Sequence, residues 1–184
     1  MWKFSEASVD DLKYFRNLDK GKTGIFSLYL DDGYDVALLQ SLNEMKVNFD
    51  TGAEAKWHIM MPYSEGEITP DFIGDVKEYN TKLAKKMCED FGIPPDIMPV
   101  LVFKEPDRDE IFFISMSRKP REVVIYYIRS IGGIIERPRE KINEEDFRKE
   151  ILLEIESFAK GENIISGFKV IPVLGSLARM ALGG

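Results

Sequence analysis

Residues 83–116, LAKKMCEDFGIPPDIMPVLVFKEPDRDEIFFISM, limit the fold of this chain more than any other stretch. A helix ends in Phe91-Gly92-Ile93, and Met98-Pro99 then opens a short strand, Val100–Phe103. The charged turn Lys104–Glu110 separates it from a second strand, Ile111–Met116, so the pair reads as a hairpin by length and charge.

The rest of the chain supplies further strands and helices. Residues 7–18 have Ser8 as a capping hydroxyl and Leu12, Phe15 and Leu18 at helical spacing. Ile25–Leu30, IFSLYL, reads as a buried strand that ends at Asp31-Asp32-Gly33, and a helix with one broad apolar face starts from Tyr34. Trp57–Met61 is the next strand. Thr69-Pro70-Asp71 is a well-formed helix start, and Phe72, Val76, Tyr79, Leu83 and Met87 continue the pattern to Phe91, some 20 residues in all. This helix is expected to be a crossover between parallel strands. After the hairpin, Pro120 opens a helix that buries Val123, Val124, Tyr127, Ile128 and Ile131, and Gly132-Gly133 is expected to stop it. Glu136–Lys141 reads as a charged linker. Glu144–Lys160 is an amphipathic helix with Phe147, Ile151, Ile155 and Phe158 as its stripe.

The Pro99 hairpin and the order strand, helix, strand, helix, strand, strand, helix resemble the thioredoxin-like superfamily over about residues 22–135. The resemblance implies an α/β fold with a central four-stranded mixed sheet, built from 25–30, 57–61, 99–104 and 111–116, with helices on both faces and an extra C-terminal helical segment. It also implies a cis Met98–Pro99 peptide. The chain then divides into an N-terminal helical extension (1–21), the thioredoxin-like domain (22–135), and an amphipathic helix with an apolar tail (136–184). Redox members of the superfamily carry a cysteine pair after the first of these strands, where this chain has Asp31-Asp32-Gly33-Tyr34. Thiol–disulfide exchange at that place is ruled out, and the chain reads as a divergent, non-redox member.

Other chemistry is sparse. Cys88 is the only cysteine and His58 the only histidine; both read as packing or structural residues, and a histidine-rich zinc site is excluded. Asp31 and Asp32 stand where open sheets bind ligands. With Glu65 or Glu67 they supply carboxylates for a metal or for acid–base work, yet Asp-Asp-Gly is also ordinary turn chemistry. The expectation is no metal and no cofactor. Gly21-Lys22-Thr23 lacks the glycine and the preceding strand of a phosphate loop.

Asp31, Asp32, Tyr34, Met98 and Pro99 are therefore the candidate lining of a ligand or partner cleft. The leading expectation is a redox-inactive protein-binding or assembly module. The alternative is an enzyme or small-ligand binder using the same cleft, a bound small thiol such as glutathione included. A formal net charge of −7 disfavours nucleic acid and anionic lipid. No signal peptide and no apolar run of membrane-spanning length is read, and a single cysteine fits a reducing compartment, so a cytoplasmic location is expected. Residues 164–182 are too apolar to stand bare in a soluble monomer. Phe168, Ile171, Leu174 and Leu177 are candidates for packing on the domain, on a second copy or on another protein, with peripheral membrane contact as a third fate.

Overall fold

The computed structural model describes residues 2–6, 25–49, 57–64, 76–104, 110–137 and 144–170. Within these residues six strands form one mixed sheet: β1 (Trp2–Phe4), β2 (Ile25–Leu30), β3 (Trp57–Pro62), β4 (Val100–Lys104), β5 (Glu110–Ser115) and β6 (Ser166–Val170). Four α-helices among the described residues flank it: α1 (Val36–Phe49), α2 (Thr81–Asp90), α3 (Arg121–Glu136) and α4 (Glu144–Gly161). The strand order is β1-β3-β2-β4-β5-β6. β1 and β2 run parallel to β3, while β4, β5 and β6 each run antiparallel to the strand before them in that order.

Four strands were expected, and two more extend the sheet at its edges. β1 sets Phe4 beside Pro62, and β6 sets Phe168 beside Phe112. A three-residue strand and a Gly-containing one carry little periodic signal of their own, so pairing partners decide them. The C-terminal region is thus a helix followed by a strand. The expected helix 7–18 and the tail residues Ile171, Leu174 and Leu177 lie outside the described residues.

Central position explains the apolar runs. β2 and β3 are buried along nearly their whole length, which demands hydrophobic side chains on both faces. Val100, Leu101, Val102 and Phe103 of β4 are fully buried, each contributing roughly 1.5–3 kcal/mol of transfer free energy. The crossover between parallel strands is α1, not the helix before β4: α2 leads from β3 to β4, which runs antiparallel to β2.

α2 is also shorter than the expected 20 residues. Asn80 caps it by accepting from the Leu83 amide at 3.0 Å, and Tyr79 is held in a β-bridge with Tyr63, which excludes it from a helix. Val76–Glu78 is a separate 3-10 turn, and Thr69-Pro70-Asp71 lies outside the described residues. At the other end the Ile93 amide donates to Cys88 O and the Gly92 amide to Glu89 O, with Gly92 at φ +67°. This double bond pattern closes the helix, and it needs a residue that tolerates the left-handed region at Gly92.

Gly132-Gly133 does not stop α3, which continues to Glu136. Two glycines cost about 2 kcal/mol of helix propensity, and burial of Ile131, Ile134 and Ile135 on the same helix offsets it. α4 packs on α3 and on β6, burying Phe147, Ile151, Leu152, Ile155 and Ala159. Among the described residues no helix is long and apolar enough to cross a membrane.

Candidate functional site

β2 ends at Leu30, and the chain turns through Asp31–Asp35 into α1 on a ladder of side-chain caps. Asp31 Oδ1 accepts from the Gly33 amide at 2.6 Å, Asp32 Oδ1 from the Tyr34 amide at 3.0 Å, and Asp35 Oδ1 from the Leu38 amide at 3.0 Å. Each aspartate therefore has a local structural task, as short polar side chains do in turns and at helix starts. Gly33 sits at φ +74°, and an added Cβ would come within 2.5 Å of the Thr81 side chain. A side chain there would meet both a left-handed φ and the Thr81 methyl, so glycine is strongly favoured.

Asp31 is the unusual member of the ladder. It is 1% exposed, and its Oδ2 accepts from the Tyr29 hydroxyl at 2.7 Å. Its amide donates to the Tyr79 hydroxyl at 2.7 Å, and that hydroxyl in turn donates to Tyr29 O at 3.4 Å. Burial pushes the Asp31 carboxyl up to about 6; the Tyr29 and Gly33 hydrogen bonds oppose this, and the nearby Asp32 and Asp35 add to it. Burial likewise raises the Tyr29 and Tyr79 phenols well above the ordinary tyrosine value.

Opposite this turn the Met98–Pro99 peptide is cis. Its loop is tied to the end of β5: the Ser115 hydroxyl donates to Ile97 O at 2.6 Å, and the Met116 amide donates to Pro99 O at 2.8 Å. Ser117 adds a bond from its hydroxyl to Asp96 O at 3.3 Å. From there a turn with Arg118 at φ 59° leads to Pro120, which precedes α3.

Between the two lies an open cleft of about 810 Å³. Asp31, Asp32, Tyr34, Met98 and Pro99 all line it, so the five candidate residues meet in one place. Tyr34 stands at its rim with 93% of its surface exposed, whereas Met98 is buried in the floor. The cleft also has members that the sequence reading passed over. Asp35 and Asp96 add carboxylates to its lining, and Arg118, Lys119 and Arg121 add cations. The run Arg118-Lys119-Pro120-Arg121 was a legible signal, four residues rich in charge just before a helix. Nothing in the sequence pointed to Tyr79, 48 positions from Asp31.

Other candidates stand apart from the cleft. Cys88 is fully buried in α2, where burial pushes its thiol up to about 12, which makes it a poor nucleophile. His58 lies on β3 with its ring 5.1 Å from that of Phe26. Phe168 is on β6, its ring 5.1 Å from Phe112. Glu65 and Glu67 lie outside the described residues, and among those described no group of three or more His, Cys, Asp or Glu is placed to hold a metal ion. Comparison with family models, with curated proteins and with solved structures finds no match to this chain.

Proposed function

We propose that this chain is a redox-inactive thioredoxin-like module that binds a polypeptide segment in the cleft between residues 31–35 and Met98–Pro99. The order β3-β2-β4-β5 supports the thioredoxin-like reading: a parallel pair joined by α1 stands beside an antiparallel hairpin that runs into α3. The lone cysteine, buried in α2, supports the absence of thiol chemistry. The observation that carries the binding function is Tyr34. A 93%-exposed tyrosine at the mouth of a cleft has almost no packing role among the described residues, but it offers a large rigid contact to a partner. Peptide display on the immobilised full chain tests this. Selected peptides should bind at least about tenfold more weakly to the Tyr34→Ala protein, the loss expected for an interface anchor. Equal binding to both proteins defeats the proposal.

One observation favours a second reading, an enzyme or small-ligand binder. Asp31 is a buried carboxyl in a cleft with its proton affinity raised toward neutrality, a pattern common at acid–base sites. A small molecule that raises the melting temperature of the native chain, but not of the Asp31→Asn protein, would favour it over a peptide partner.

A further inference from the structure

Aromatic rings form a row across one face of the sheet. Trp57 of β3 stacks on Phe103 of β4 with centroids 6.4 Å apart, Phe103 stands 6.2 Å from Phe112 of β5, and Phe112 stands 5.1 Å from Phe168 of β6. On β2, between β3 and β4, the place is held by Ser27, whose hydroxyl accepts from Trp57 Nε1 at 2.9 Å. Trp57, Phe103 and Phe112 are buried, whereas Phe168 keeps 44% of its surface in solvent. The row is covered along its length and open at one end, and that end lies on the outermost strand of the sheet.

The backbone of β6 is open on the same side. The Ser115 amide donates to Ile165 O, which makes 115 and 165 a hydrogen-bonded pair of the antiparallel ladder. Such pairs alternate along the strand. Gly167 and Lys169 therefore turn their amides and carbonyls toward β5, while Ser166, Phe168 and Val170 turn theirs away from it. Among the described residues no strand pairs with that outer side. Sheet edges are commonly blunted by proline or by charge. Ser166–Val170 contains neither proline nor a carboxylate, and its one charge, Lys169, alternates to the face opposite Phe168.

Independently of the cleft, we propose that the outer edge of β6 joins two copies of this chain, antiparallel about a two-fold axis at Phe168. A two-fold contact uses the same patch on both copies and closes on itself. Full overlap of the strand sets Phe168 of one copy against Phe168 of the other, and Ser166 against Val170. All three outward residues then fall in hydrogen-bonded pairs, a match that a shift of one residue would lose. The two aromatic rows become one, and the exposed end of each is covered by the other. Charge permits the approach: in a chain of net charge −7 this strand carries no carboxylate, and Lys169 of one copy lies across from Gly167 of the other. Pairing of strands this short buries less than the roughly 1,200 Å² of a standard stable interface, so the dimer is a reversible one.

Sedimentation of the full chain from about 1 µM to about 1 mM should show monomer passing into dimer as concentration rises. Ser166→Pro deletes an outward amide at the first residue of the strand, where proline is tolerated and the ladder to β5 is untouched. It should raise the dissociation constant by about tenfold or more, while the dilute protein melts as the native one does. In a Cys88→Ser background, Phe168→Cys should give a disulfide-linked dimer under a mild oxidant, because paired residues on the axis have Cα atoms about 5.5 Å apart. Lys169→Cys in the same background should cross-link far less, since Gly167 stands opposite it. A monomer throughout overturns the proposal and leaves the edge to another segment or another protein. A dimer that Ser166→Pro does not weaken, or equal cross-linking by the two cysteine variants, overturns it as well. Should Ser166→Pro fail to fold, the cross-linking comparison decides alone.

Discussion

The Tyr29 hydroxyl donates to Asp31 Oδ2 across 2.7 Å, from within β2 to the first residue beyond its end. This bond partly offsets the burial of a carboxylate that has no cation beside it among the described residues, yet the carboxyl remains raised to about 6. The folded chain therefore holds a proton on Asp31 at pH values where the unfolded chain has released it. Stability from this group is complete below about pH 4 and is lost as pH rises through about 6. The shift corresponds to roughly 2–3 kcal/mol at neutral pH. Urea unfolding as a function of pH is expected to show this decline in the native protein and not in the Asp31→Asn protein, which should be the more stable of the two at about pH 7.5. Parallel curves would mean that Asp31 keeps its ordinary proton affinity in the fold.

Tyr79 gives the turn its second anchor. Its hydroxyl accepts from the Asp31 amide and donates to Tyr29 O, so one phenol satisfies two buried backbone groups. Tyr79→Phe keeps the ring, including its edge-on contact with Tyr63 at 5.9 Å, and removes only the oxygen. The cost should be about 1–3 kcal/mol, the desolvation penalty of an unpaired amide. A chemical-denaturation midpoint unchanged from the native protein would show that water takes the place of the hydroxyl.

Cys88 should behave as an inert core atom. It is fully buried with a thiol pushed up to about 12, so an aromatic disulfide reagent at about pH 8 should label it only after denaturant is added. Insulin reduction should be absent, and Cys88→Ser should change no binding activity, although the hydroxyl in an apolar site should cost about 1–3 kcal/mol of stability. Rapid labelling in the native state, or a reductase activity that disappears in the serine protein, would contradict this.

What could be read from the sequence follows from where the signal is local. β2, β3 and the β4–β5 hairpin are short apolar runs bounded by Asp-Asp-Gly, Pro62 or Met98-Pro99, and their burial is inside the pattern itself. Asp31 and Asp32 were found because strand ends position ligands in such sheets, whereas Met98 and Pro99 came from the resemblance to thioredoxin-like proteins, with Tyr34 as an aromatic neighbour of Pro99. The start of α2 was misplaced because Thr69-Pro70-Asp71 looks like a better cap than Asn80, and only the long-range bridge from Tyr63 to Tyr79 decides against it. Gly132-Gly133 misled for a similar reason: the tertiary burial of Ile134 and Ile135 outweighs local propensity. β6 has no legible period, since SGFKV alternates only once pairing with β5 has fixed its register.

That pairing yields the last prediction. β6 lies against β5 from Glu110↔Val170 to Ile114↔Ser166, and the Ser115 amide donates to Ile165 O at 2.7 Å. Phe168 covers Phe112, which is fully buried, while keeping 44% of its own surface exposed; Ile165 keeps 60%. Removing residues 162–184 should strip β5 of its outer neighbour, uncover Phe112 and leave an apolar strand edge free to pair with another chain. The truncated protein should melt at a lower temperature, bind a hydrophobic dye and gain mass in solution. Phe168→Ala in the full chain is the companion measurement for the case that the truncated protein does not fold, with an expected loss of about 1–2 kcal/mol, less than the roughly 3–5 kcal/mol of a fully buried phenylalanine. An unchanged melting temperature in both proteins would mean that β6 contributes nothing to the stability of the sheet. If association with lipid vesicles were lost at the same time, the C-terminal segment would have to be read as a membrane contact instead.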